Sequence, residues 1–132
     1  MKTHPKDIHR IVIVYHPRNN EASRTAEEIA DSLQSNGREV TLGLMEDQEV
    51  KEKIQAENQD LLVALGGDGT MLRAGHLAAP HKIPILGINL GRFGFLTEIK
   101  KSDWSSALSR LFEGDFWIEH RMMLNTAHWR ED

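Results

Sequence analysis

The feature that most constrains this chain is a set of short, unbroken apolar runs that cannot be half-buried. Arg10–Tyr15 (RIVIVY) and Asp60–Leu65 (DLLVAL) place apolar side chains on both faces of a strand. Such strands need cover on both sides, which a parallel sheet flanked by helices supplies. Glu39–Leu44 and Ile83–Asn89 are two further strand-length runs. Helical patterns lie between them. Ala22, Ala26, Ile29, Ala30 and Leu33 recur at helical spacing within Glu21–Ser35, and Asn36-Gly37 stops that helix. Asp47–Asn58 carries Val50 and Ile54 as an inner face, and a third helix is expected from about Thr70 to Ala79, closed by Pro80. Ser102 is the expected N-cap of a fourth, which runs to Glu113 and stops at Gly114. Strands alternating with helices predict an α/β fold with a doubly wound, mostly parallel sheet.

Composition narrows the class. At 132 residues, the chain has room for one ordinary core. Its net charge of −4 and lack of a Lys/Arg run leave no footprint for nucleic acid. No apolar run approaches a membrane span, and Met1–Arg10 has no apolar stretch of the secretory kind, so a cytoplasmic protein is expected. Without cysteine, neither a disulfide framework nor a Cys-based zinc site is possible. His76 and His81 lie on either side of Pro80, and His120 and His128 have no carboxylate or cysteine at ligand spacing, so no metal ligands are assigned.

One stretch carries chemistry. Leu61–Leu65 runs into Gly66-Gly67-Asp68-Gly69-Thr70 and then into a helix start. Glycines let the backbone approach a ligand closely. The helix start offers free N–H groups and the positive end of a dipole. Together they make a phosphate cradle at the carboxyl edge of a parallel sheet, where open α/β folds place ligands. Asp68 sits inside that cradle. A carboxylate beside phosphate is electrostatically unfavourable, so it points to a role: accepting a proton from an attacking hydroxyl, or organising a metal. The competing reading is a plain strand-to-helix turn with Asp68 as its N-cap; the strand context and helix onset favour phosphate. The loop lacks the Gly-Lys-Ser/Thr of a Walker A motif and does not follow Gly-x-Gly-x-x-Gly.

Gly66–Thr70 followed by Met71-Leu72-Arg73 resembles the signature of NAD kinases, shared more widely with diacylglycerol and sphingosine kinases. Pro84–Thr97 (PILGINLGRFGFLT) is similar to the second NAD kinase block, where lipid kinases instead show Gly-Thr-x-Asn-Asp. The resemblance extends from Arg10 to Leu124. It implies a Rossmann-like N-terminal domain over residues 1–115, with residues 116–132 as the start of a second, β-rich domain. It also implies transfer of the ATP γ-phosphoryl group to the 2′-hydroxyl of the adenosine ribose of NAD, giving NADP. In that picture Asp68 is the general base, and Gly66, Gly67, Asp68, Gly69 and Thr70 form the phosphate loop. Arg73, Asn89 and Phe95 line the nucleotide pocket. Mg2+ comes with ATP, polyphosphate is the alternative donor, and the full-length form is a homo-oligomer. The second domain's Asn-Glu or Asn-Asp pair is absent from these residues. Two alternatives stand beside this: a lipid or sphingoid-base kinase of the same superfamily, and a non-catalytic nucleotide-binding subunit.

The remaining polar and aromatic residues have plainer expectations. His16 follows the first strand at the ligand-binding edge, where it could touch nucleotide, but Pro17-Arg18 beside it favour a simple loop. Arg92 is a loop arginine, and Glu46 to Glu57 is a solvated charged face. Trp104, Phe112 and Trp117 are core or interface residues, and Met122 and Met123 are packing.

Overall fold

Ile11, Val12, Ile13 and Val14 are all inaccessible to solvent, as are Leu62, Val63, Ala64 and Leu65. Both strands are therefore covered on both faces, as their sequences require. The computed structural model describes residues 8–16, 20–56, 58–90, 99–116 and 118. Five strands are present: β1 Arg10–Tyr15, β2 Glu39–Leu44, β3 Leu61–Gly66, β4 Ile85–Asn89 and β5 Ile99–Lys100. Four α-helices join them: α1 Asn20–Ser35, α2 Gln48–Gln55, α3 Asp68–Ala78 and α4 Trp104–Phe112. The sheet order is β2-β1-β3-β4-β5, and every neighbouring pair is parallel.

That order reverses direction once. The chain moves outward from β1 to β2, crosses back to β3, and continues the other way to β4 and β5. Right-handed crossovers made in opposite directions fall on opposite faces. The two core clusters bear this out. Ile11, Ile13, Val63 and Leu65 pack with Ile29 and Leu33 of α1 and Leu108 and Leu111 of α4. Val12, Val14, Leu62 and Ala64 pack on the other face with Val50 and Ile54 of α2 and Ala74 and Ala78 of α3. The period-2 alternation of each central strand feeds both layers. The fold is thus the doubly wound parallel sheet that the sequence predicts.

Local chemistry sets the element ends. At the α1 stop, Gly37 takes φ +80°. The Arg38 N–H bonds Leu33 O at 3.1 Å and the Gly37 N–H bonds Gln34 O at 3.0 Å, a Schellman closure that a Cβ-bearing residue resists. β4 starts at Ile85 rather than Ile83. Pro84 has no N–H to give the ladder and contributes only its carbonyl, which accepts from Leu62 N–H at 2.9 Å. Helix α3 begins at Asp68, two residues before the expected Thr70, with Gly67 as its N-cap. Ser102 is not a cap: it lies in the 3-10 turn Lys101–Asp103, and Asp103 precedes α4. Strand β5 was not anticipated, since two residues carry no readable period. Of residues 116–132, only 116 and 118 are described; Phe116 packs against the α1/α4 core. The expected second domain otherwise lies outside the described residues, as do Arg92, Trp117, Met122, Met123, His120 and His128.

Candidate functional site at the switch point of the sheet

The sheet reverses between β1 and β3, and there the helices on the two faces leave the strand ends in opposite directions. In doubly wound sheets that crevice is the ligand site. In this chain it is flanked by His16, directly after β1, and by Gly66–Thr70, directly after β3. A shallow cavity of about 270 Å³ lies there, lined by His16, Gly67, Gly69, Thr70 and Arg73. It falls below the range of about 300–1,000 Å³ typical of whole small-molecule sites.

The glycines of the loop do different things. Gly66 ends the fully buried β3 at φ +157°, and a Cβ there would sit 2.3 Å from Thr70 Oγ1 and 2.8 Å from Thr70 Cβ. Thr70, 6% exposed, folds back onto Gly66 and closes the turn. A Cβ on Gly67 or Gly69 would meet nothing within 4 Å. No packing in the described structure demands glycine at those two positions. Both border the cavity, which is where a ligand would need the backbone to be bare. The first helical bond, Met71 N–H to Gly67 O at 3.1 Å, fixes the orientation of the N-terminal turn.

The other expected site residues can now be placed. Asp68 is the first residue of α3, not its N-cap. Its charge there is favourable to the helix dipole, which otherwise stands ready for an anionic ligand. Asn89, the last residue of β4, is the register partner of Gly66. The following residue ties the two strands together, Leu90 N–H donating to Gly66 O at 3.2 Å. Gly66, Gly67, Asp68, Gly69, Thr70, Arg73 and Asn89 therefore share one edge of the sheet. Phe95 lies outside the described residues. Arg73 is exposed and pairs with Glu46, Nη1 to Oε1 3.6 Å. His16 was expected to be an ordinary loop residue, yet it lines the cavity. The clue available in sequence was its position at the carboxyl end of a buried strand.

A second cavity of about 430 Å³ lies beside α1, lined by Glu21, Arg24, Thr25, Glu28 and Lys101. Although larger, it carries charges of both signs and is spanned by the Lys101–Glu21 pair. It holds none of the glycine-loop residues and is the weaker candidate.

Fold and site together define a doubly wound α/β domain with a glycine loop and a helix N-terminus at the sheet's switch point. Comparison with known proteins makes this specific. Residues 11–116 match the family pattern of the ATP-NAD kinase N-terminal domain, so the chain belongs to the NAD kinase family. Over 107 residues it is 40% identical to the NAD kinase of Methanopyrus kandleri, covering 78% of this chain and 39% of that protein. It is 32% identical to the Chloroflexus aurantiacus NAD kinase over 123 residues, which is 93% of this chain and 44% of the relative. A 65-residue stretch is 62% identical to the NAD kinase of Heliobacterium modesticaldum, covering 49% of this chain and 23% of that protein. The chain thus spans less than half the length of these relatives. Yeast NADH kinase, solved in complex with NADH, superposes with a TM-score of 0.64 at 19% identity, over 82% of this chain and 39% of that one. At that identity the likeness concerns the fold.

Proposed function

We propose that this chain provides the phosphate-binding half of an NAD kinase site. The reaction moves the γ-phosphoryl group of ATP to the 2′-hydroxyl of the adenosine ribose of NAD. The ribose oxygen attacks the γ-phosphorus, the bond to the ADP oxygen breaks, and the hydroxyl proton passes to Asp68. ADP and NADP leave. The observation that carries this reading is the meeting of bare Gly67 and Gly69, the α3 N-terminus and Asp68 at the switch point. Phosphoryl transfer asks the protein mainly for alignment and charge neutralisation. Backbone N–H groups and a helix dipole supply both without net positive charge. Gly66 and Thr70 hold the loop's shape, Arg73 reaches toward phosphate oxygens, and Asn89 and Phe95 border the nucleotide.

Mg2+ enters on the ATP phosphates, whose charge it screens. Asp68 is the carboxylate the loop offers near such an ion. Among the described residues no group of three or more His, Cys, Asp or Glu side chains could hold a metal ion by themselves. Among the same residues no helix is long and apolar enough to cross a membrane. The reading extends to a cytoplasmic, homo-oligomeric protein whose residues 116–132 lead into a second, β-rich domain, and whose donor is ATP or polyphosphate.

The test is an NADP-forming assay with NAD, ATP and Mg2+ on the full chain and its Asp68→Asn variant. Removing the base should lower turnover by about 10²- to 10⁴-fold. Equal turnover in the variant would remove Asp68 from the chemistry. A chain that makes no NADP with ATP or with polyphosphate would be a half-site without turnover of its own, and an ATP titration that finds no binding would then overturn the phosphate-loop reading.

A further inference from the structure

Glu46 follows β2 in the turn that leads to α2. All strands are parallel, so the end of β2 lies on the same edge as the ends of β1 and β3. The sequence pattern assigns Glu46 to a solvated face, and the fold keeps it exposed but brings it beside Arg73, which lines the switch-point cavity. There its carboxylate meets Arg73, with Nη1 and Oε1 3.6 Å apart and side chains 64% and 62% exposed. Arg73 also lines the phosphate cavity. It sits six residues after Gly67, about 9 Å along the helix axis, and helical side chains lean back toward the N-terminus. One guanidinium is therefore shared between a resident carboxylate and the space above the glycine loop.

We propose that Glu46 is a positioning residue for the phosphate site. It holds Arg73 as a counter-ion that an incoming phosphate chain must displace. This rests on the reading of Gly66–Thr70 as a phosphate cradle. Carboxylate and phosphate compete for the same donors, and both accept a guanidinium through charge-assisted hydrogen bonds. A single phosphate seated at the helix start leaves the Arg73–Glu46 pair in place. A longer chain extends to Arg73, exchanges with Glu46, and meets repulsion from the released carboxylate. Glu46 thereby makes affinity depend on phosphate chain length.

Calorimetric titration of inorganic tripolyphosphate and orthophosphate into the full chain tests this, using Glu46→Gln, Arg73→Gln and the double variant. Each variant's melting temperature is measured alongside, since a purely structural role would move that and not the affinity pattern. Glu46→Gln should tighten tripolyphosphate about two- to fivefold, the span of an exposed ion pair, and orthophosphate by less than about twofold. In the Arg73→Gln background the gain should vanish. A gain that survives loss of Arg73 would mean Glu46 acts as bulk charge, and a Glu46→Gln chain with unchanged or weaker tripolyphosphate binding would mean it does not compete; either overturns the proposal. Equal tripolyphosphate binding by all four proteins overturns the proposal and the reach of Arg73 to phosphate, and leaves the glycine-loop reading standing. No tripolyphosphate binding by any overturns the cradle reading and the proposal together.

Discussion

Replacing Gly69 by alanine separates what the glycine loop does for the fold from what it does for a ligand. Gly69 lies in the first turn of α3, away from the left-handed region, and an added Cβ meets nothing within 4 Å. Alanine is favoured over glycine inside a helix by about 1 kcal/mol, less near an end. Gly69→Ala should therefore raise stability by about 0.5 kcal/mol, or about 2 °C in Tm. Gly69 also lines the cavity, so if a phosphate lies against the backbone there, the added methyl group should lower ATP affinity at least about tenfold. Gly66→Ala is the control. Its Cβ would stand 2.8 Å from Thr70 Cβ, against about 3.5–4.0 Å for an unstrained carbon contact. A buried threonine backbone must move, which costs about 1–3 kcal/mol and lowers Tm by several degrees. Differential scanning calorimetry reads the first effect and ATP titration the second. A Gly69→Ala chain that binds ATP as well as the parent would refute close backbone approach at this position. A chain that is less stable than the parent would refute the helix start at Asp68.

Two further predictions probe the scaffold. Leu33 is 1% exposed in the α1/α4 cluster, so Leu33→Ala should cost about 2–5 kcal/mol in urea unfolding; a loss below about 1 kcal/mol would mean that α1 does not anchor this layer. The Asp60 carboxylate accepts the backbone N–H groups of His9 and Arg10, each at 2.8 Å. Asp60→Ala should therefore cost about 1 kcal/mol, because both donors are exposed enough for water to replace it in part, and hydrogen exchange at those two amides should speed up.

Most of the scaffold was legible because its strands are extreme. RIVIVY and DLLVAL have no polar face, so they could only be central parallel strands, and the five apolar positions of α1 are all buried as their spacing demands. The glycine loop was legible for the same kind of reason, since few other uses exist for Gly-Gly-Asp-Gly after a buried strand. What the sequence could not reveal depended on strand order. The sequence placed His16 at a strand's carboxyl edge but not beside this loop, and gave no sign that Glu46 meets Arg73; only the order β2-β1-β3 puts the ends of all three strands together. Each taken alone is a histidine before a proline and a glutamate in a charged segment. The start of α3 was misplaced because Asp68 and Gly69 are poor helix formers by propensity, and the packing of Thr70 onto Gly66 overrides that.

The placement of Asp68 ties these strands of reasoning together. A carboxylate in the first turn of a helix is stabilised by the dipole, and so is a phosphate. A phosphate seated at the start of α3 would share this single source of positive potential with Asp68, and the two would repel each other. Stability alone would also favour a carboxylate in that first turn, so the dipole does not by itself distinguish a structural Asp68 from a chemical one. The arrangement becomes sensible if the bound partner brings a hydroxyl whose proton the carboxylate accepts as charge develops on the transferring phosphoryl group. Asp68→Asn keeps the side-chain shape and removes both the proton acceptor and its charge. Its predicted signature is therefore unchanged or tighter ATP binding together with lost turnover, a pairing that neither a capping role nor simple phosphate affinity would produce.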